Sequence, residues 1–205
     1  MSKQHTTSRQ AEGQQETRER IIAAASKVLA EKGYDATTLR EISREAQAAP
    51  GLVHYYFGGK DQLLVEVLKD MSDRYTQATR ELSRRVSADQ FMEAALAQPL
   101  TRVTEEPEWY RLRYELFALG LHNPLLAPGV RELLAEGRSS IGKAVELVRE
   151  SSAVAESADP LTLASLLLAV FDGLALQKMM DPEVDLAAAY QLLVQMIRGL
   201  PSGKE

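Results

Sequence analysis

The sequence predicts an all-α chain: an N-terminal three-helix bundle carrying a helix-turn-helix, followed by a larger helical region for ligand binding and dimerisation. Three observations lead there. Apolar residues recur at spacings of three and four through nearly the whole chain, and no alternating apolar-polar run marks a strand. Helix punctuation falls between those periodic segments, notably at Thr38, Pro50, Asn123-Pro124 and Asp159-Pro160. The stretch from Thr37 to Phe57 reads as two short helices joined by a tight turn.

In chain order, residues 1–16 are rich in Gln, Ser, Thr and Glu without periodicity, which predicts a disordered arm in which Lys3 and Arg9 are either solvated or set against DNA. Thr17 is suited to cap a support helix whose apolar positions are Ile21, Ile22, Ala25, Val28 and Leu29, and Lys32-Gly33 marks its end. Thr38 and Glu41 form a capping box: the hydroxyl serves first-turn amides and the carboxylate reaches back to the cap N–H. Leu39, Ile42 and Ala46 give the helix after it one apolar face, with Arg40, Glu41, Arg44 and Glu45 outside it. Pro50 suits the first position of the next helix, where a missing N–H costs nothing. That helix turns Val53, Tyr56 and Phe57 inward and leaves Pro50, Gly51, His54 and Tyr55 outward, the geometry of a unit whose second helix enters the DNA major groove.

Gly58-Gly59 breaks that helix, and a long one is predicted from Lys60 to about Arg85 with Leu63, Leu64, Val67, Leu68, Met71 and Tyr75 inward. Five more follow, at about 89–104, 107–122, 128–151, 160–180 and 185–200. The fourth of these, apolar on more than one face, and the last predict an isologous dimer interface. The domain division expected is 1–16, 17–63 and 64–205.

From Thr38 to Ile42, through Gly51, Val53 and Tyr56-Phe57 to Lys60-Asp61-Gln62-Leu63, the chain resembles the tetracycline-repressor-like (TetR) family of one-component regulators over about residues 17 to 70. The Phe171-Asp172-Gly173-Leu174 and Met180-Asp181-Pro182 segments resemble C-terminal domains of the same family more loosely. The chain departs from the motif at Gln47, Ala48, Ala49 and His54, where the family usually has Gly, Val, Ser and Tyr. Ala49 cannot cap through its side chain, at a cost of about 1 kcal/mol, and Gln47 falls where a left-handed turn favours Gly.

The resemblance implies a repressor released from a near-palindromic DNA operator by a small-molecule effector. It makes Arg40 the base reader, brings Pro50, Gly51 and His54 to the groove, and sets Thr38, Tyr55 and Lys60 on phosphates. In the back half, Trp109, Arg113, Tyr114, Phe117 and His122 form an aromatic stripe that is either core or pocket lining, with Phe171, Asp172 and Gln177 as candidate partners on a facing helix. The rival reading is a helical ligand-binding or interaction module that no longer reads DNA.

Composition narrows the field. There is no cysteine, so disulfides and thiolate metal sites are excluded, and no metal or cofactor motif occurs. An enzyme reading has only Arg113, His122 and Asp172 behind it, without a catalytic pattern, and none is expected. The net charge of −5 is uneven: residues 1–60 hold nine Lys and Arg against seven Asp and Glu, so the positive part coincides with the proposed DNA reader. No run reaches the 18 or so uninterrupted apolar residues of a membrane span and the first residues are polar, which predicts no membrane association and a cytoplasmic protein.

Overall fold

The computed structural model describes residues 2–149 and 159–199. Among them are nine helices and no strand: α1 (Ser2–Ala36), α2 (Leu39–Glu45), α3 (Pro50–Phe57), α4 (Lys60–Ser83), α5 (Ala88–Glu105), α6 (Pro107–His122), α7 (Ala127–Arg149), α8 (Pro160–Met180) and α9 (Leu186–Arg198). The predicted helix ends at Ser151 and Leu200, and the side chains of Lys3 and Arg9, lie outside the described part of the structure.

One expectation about the N-terminus is corrected. The backbone is already helical at Ser2, so residues 2–16 continue the support helix and form no separate arm. Gln, Glu, Ala and Arg are good helix formers, and this polar stretch contains no proline. Thr17, expected as a cap, therefore lies inside α1, where its hydroxyl donates to the carbonyl of Gly13 at 2.8 Å. The helix is interrupted at Gly33, whose φ of 76° lies in the left-handed region that favours glycine.

The chain forms two compact units. The first holds residues 1–71 and 111–130, the second residues 72–110 and 131–205. The helix-turn-helix unit is thus larger than the expected 17–63, because much of α6 and the start of α7 pack into it. Its core joins Ile21, Ala25 and Leu29 of α1, Ile42, Val53, Phe57, Leu63, Leu64 and Leu68, and Leu112 and Leu116 of α6. Val65, not among the residues of α4 expected inward, is fully buried as well. Gly129 explains it: a Cβ there would stand 2.8 Å from a Val65 methyl carbon, so the α7 backbone lies directly against that side chain.

The second unit is built from the rest of α4, α5, α7, α8 and α9, around Phe91, Val103, Leu133, Leu163, Leu167, Phe171, Tyr190 and Ile197. Ser87 and Gln90 close a capping box on α5, and Asp159 and Asp185 cap α8 and α9 through their carboxylates. By length and composition α8 passes the test for a membrane span, which the demand for an unbroken apolar run missed. It carries Asp172 midway and buries Leu163, Ala164, Leu167, Phe171 and Ala175, as a core helix does. Its opposite side is not covered: Leu166, Ala169, Gly173, Leu176 and Met180 are exposed at spacings of three, four, three and four.

Candidate functional site

The reading surface of the first unit is assembled from short-range contacts. Thr38 caps α2, with the reciprocal bonds of the capping box to Glu41 all formed. Lys32 pairs with Glu41 at 2.5 Å and Lys27 with Glu45 at 2.6 Å, so both acidic side chains of α2 are drawn onto α1. The Lys32 and Thr38 hydrogen bonds pull the Glu41 carboxyl down to about 2, and the bond from Lys27 holds Glu45 below the usual carboxylate range. Exposed pairs of this kind add little to stability, because water and salt screen them. They tie the acids of α2 to α1, while Arg40 and Arg44 stay exposed on the same helix.

After α2 the chain turns through Gln47, at φ 50° the one non-glycine residue of the described structure with positive φ. The left-handed position expected there is real, and Gln47 occupies it at a strain glycine would avoid. The amide of Ala48 donates to the carbonyl of Ser43 at 2.9 Å and closes the turn. Ala49 takes the N-cap position of α3 without a side-chain cap, as its methyl group requires, and Pro50 is the first helical residue. Val53 and Phe57 are buried, while Pro50, Gly51, His54 and Tyr55 are exposed. Tyr55 stands 74% open to solvent, edge-on to Tyr56 at 5.2 Å.

Two residues expected on phosphates are engaged within the protein. The Thr38 hydroxyl donates to the Glu41 carboxylate at 2.9 Å. A phosphate offers only acceptors, so that proton is not available to it while the capping box holds. Lys60 donates to the carbonyls of Tyr34 and Thr37, at 2.8 and 3.1 Å, and its ammonium lies 4.1 Å over the Tyr34 ring. The lysine therefore braces the turn from α1 into α2, where the sequence offered no sign of these carbonyls. The brace has further members: the Tyr34 hydroxyl donates to Asp61, and the Tyr34 amide donates to Glu115 of α6 at 3.2 Å. Burial raises the Glu115 carboxyl above its ordinary range.

The second unit contains a cavity of about 720 Å³, counting the part open to solvent. Tyr75 and Thr79 of α4, Phe91 and Ala95 of α5, and Leu163, Leu167 and Phe171 of α8 line it, with Ile197 of α9. α7 contributes one face: Ser140, Ile141, Ala144, Val145, Val148 and Arg149. Its mostly apolar lining with a few polar groups is that of a small-molecule site.

Of the eight residues expected at a ligand, only Phe171 lines this cavity. Trp109 is buried edge-on against Tyr110 at 4.7 Å, and Arg113 is buried in the other unit, 4.5 Å over the Phe117 ring. Tyr114 and Asp172 are half-buried, and His122 and Gln177 are exposed. Of the stripe, Trp109 and Arg113 are buried, Tyr114 and Phe117 are half-buried and His122 is exposed. The lining that was missed left a faint signal: the small residues Ser140 and Ala144 stand four apart along α7 among larger aliphatics, and small side chains leave room beside a helix.

Two family models match, one for bacterial regulatory proteins of the tetR family over residues 21–67 and one for the C-terminal part of BetI-type transcriptional repressors over residues 87–201. Over 176 residues the chain is 26% identical to the HTH-type transcriptional regulator PksA of Bacillus subtilis, covering 80% of each protein. It is 46% identical over 63 residues to the HTH-type transcriptional regulator HbdR of Aromatoleum sp., spanning 31% of this chain and only 28% of that relative. A TetR transcription regulator from Haloarcula marismortui shares the fold, with a TM-score of 0.74 at 19% identity over 91% of this chain and 98% of the other.

Proposed function

Because the chain belongs to the tetR family of bacterial regulatory proteins, we propose that it is a cytoplasmic, homodimeric repressor that leaves a near-palindromic operator when a small molecule fills the cavity of its second unit. The observation that carries the DNA half of this reading is the outward face of α2 and α3. Arg40, Arg44, His54 and Tyr55 are exposed together on a helix-turn-helix whose two acidic residues are drawn onto α1. Arg40 reads a base edge and Tyr55 touches phosphate. Gly51 lets the backbone of α3 approach the groove.

The dimer forms through α8 and α9. The 3-4-3-4 row of Leu166, Ala169, Gly173, Leu176 and Met180 is the spacing of a helix seam, and exposed Leu192 and Met196 extend it on α9. Such a pair of chains sets its two reading helices one duplex turn apart, about 34 to 36 Å, or a multiple of that. Release is carried by α4, which contributes Tyr75 and Thr79 to the cavity and, at its other end, Lys60 and Asp61 to the brace. The effector must bind the DNA-competent and DNA-incompetent arrangements with different affinity, since equal affinity shifts nothing.

Fluorescence anisotropy with duplexes from the region upstream of its own gene, against scrambled duplex at about 0.15 M salt, tests the reading. Selective binding that is lost in Arg40→Ala is expected. Equal, weak binding to all duplexes in both proteins, repeated in a selection over random duplexes, would favour a chain that binds ligands without reading DNA.

A further inference from the structure

We propose that His54 reads the operator through an exocyclic amino group, accepting a hydrogen bond at Nε2 from cytosine N4 or adenine N6 in the major groove. This deepens the DNA reading above and rests on it. The tautomer follows from one contact: the Nδ1 atom of His54 lies 3.2 Å from the carbonyl oxygen of Gly58. A carbonyl can only accept, so Nδ1 carries the proton and the neutral ring keeps its lone pair at Nε2. The Gly58 amide donates to the His54 carbonyl at 2.9 Å, so the two residues are tied through both main chain and ring at the end of α3. Gly58 closes that helix in the left-handed region, at φ 72°.

The place of the ring supplies the second observation. His54 is exposed and stands three residues after Gly51, on the same side of α3. Gly51 has no side chain to hold the helix off the groove, so the next group along that side is the imidazole. Among the described residues nothing else hydrogen-bonds to the ring, which leaves Nε2 to a ligand atom. A lone pair there discriminates. Phosphate oxygens, guanine N7 and O6, and thymine O4 are acceptors and offer it no proton, whereas the amino groups of cytosine and adenine are the donors that the major groove displays. Each base pair shows one such amino group, so the contact fixes which strand carries it: adenine or cytosine against guanine or thymine. Arg40 on the neighbouring helix is the opposite kind of reader, since a guanidinium only donates.

The test is a selection over random duplexes at about pH 8, with the full chain and three variants, followed by anisotropy on the selected site and on its single-base-pair changes. The parent is expected to hold adenine or cytosine at one base pair of each half-site. Exchanging the strands of that pair should weaken binding about five- to tenfold, the equivalent of one hydrogen bond. His54→Ala should lose this preference and keep those at the other positions, which also reports that the variant folds. His54→Glu, an acceptor only, should keep adenine or cytosine there although its charge weakens binding to every duplex. His54→Lys, a donor only, should move the preference to guanine although its charge strengthens binding to every duplex. Base preferences that none of the three variants moves, a parent preference for guanine or thymine that His54→Ala relaxes, or a loss in His54→Ala that is equal on all duplexes overturns the proposal. Any of these together with selectivity that Arg40→Ala abolishes overturns this inference alone; a parent that selects no duplex overturns the regulator reading as well.

Discussion

The two units place function on opposite sides of their cores. In the first, the residues proposed to meet DNA are on the outside: Arg40 and Tyr55 project from helices whose other faces hold Ile42, Val53 and Phe57 in a closed core. In the second, the proposed ligand site is a gap in the core itself, and Phe91, Leu163 and Phe171 both hold the helices together and line the cavity. A residue can therefore be changed for function alone in the first unit. In the second, stability and ligand binding move together, and a regulator built this way can alter its operator more readily than its effector.

The largest effect that tests this contrast is expected from Phe91→Ala. Phe91 is 2% exposed and lines the cavity. Removing a buried ring costs about 3 to 5 kcal/mol, a large fraction of what a domain has. Thermal unfolding should shift down by many degrees, and ligand affinity should fall in the same variant. A variant that keeps its melting temperature but loses ligand would break the comparison, since the wall would then be separable from the core.

Arg40→Ala is the opposite case. It should leave the melting temperature within about 1 °C, because an exposed side chain away from special features changes stability by under about 0.5 kcal/mol. Selective DNA affinity should fall by about 1 to 3 kcal/mol, roughly five- to 150-fold. Loss of stability with the loss of DNA binding would show that the outer face of α2 is not independent of the core.

This asymmetry also explains how much was legible in the sequence. The first unit could be read nearly residue by residue, because its geometry depends on neighbours within about ten positions: Thr38 with Glu41, Gln47 in the turn, Pro50 at the start of α3. What failed there was contact at long range, since nothing in the sequence around Lys60 tells that its ammonium meets carbonyls 23 and 26 positions earlier. The cavity depends wholly on such contacts. It draws on five helices, and a void leaves no residue of its own in the sequence, so the aromatic stripe of α6 was the visible candidate while the lining comes from α4, α5, α7, α8 and α9. Helix starts fared well where a cap or a proline at the first position marked them, as at α2, α3 and α8. They fared poorly at the start of α1, where a polar helix has no apolar period to announce it.

Gly51→Ala sharpens the comparison with a smaller change. A Cβ at Gly51 would meet nothing within 4 Å, so the isolated protein has room for it. Alanine inside a helix is favoured over glycine by about 0.5 to 1 kcal/mol, so the variant should melt slightly higher. If the α3 backbone approaches the groove at this position, the same methyl group must weaken DNA binding. A rise in melting temperature together with weaker binding in the anisotropy assay is the expected pair; tighter or unchanged DNA binding would mean that this turn of α3 stays clear of the duplex.

The smallest effect concerns the cap that fixes α2. The Glu41 carboxyl is depressed to about 2, first by Lys32 and then by Thr38, from an ordinary value of 4.5. A depressed carboxyl contributes stability that is complete above its unfolded value and is lost as pH falls through its folded one. The contribution of Glu41 should therefore be constant above about pH 5 and decline from there towards pH 2, while Glu41→Gln should lack that part of the decline. Because the pair lies at the protein surface, the difference between the two proteins should be small and should shrink further in about 1 M salt, where such charge pairs are screened. Acid titration followed by circular dichroism checks it. Parallel curves for the two proteins between pH 5 and 2 would show that the backbone and packing hold α2 without the cap's charge, which would place even the setting of α2 in the core and so weaken the contrast between the two units.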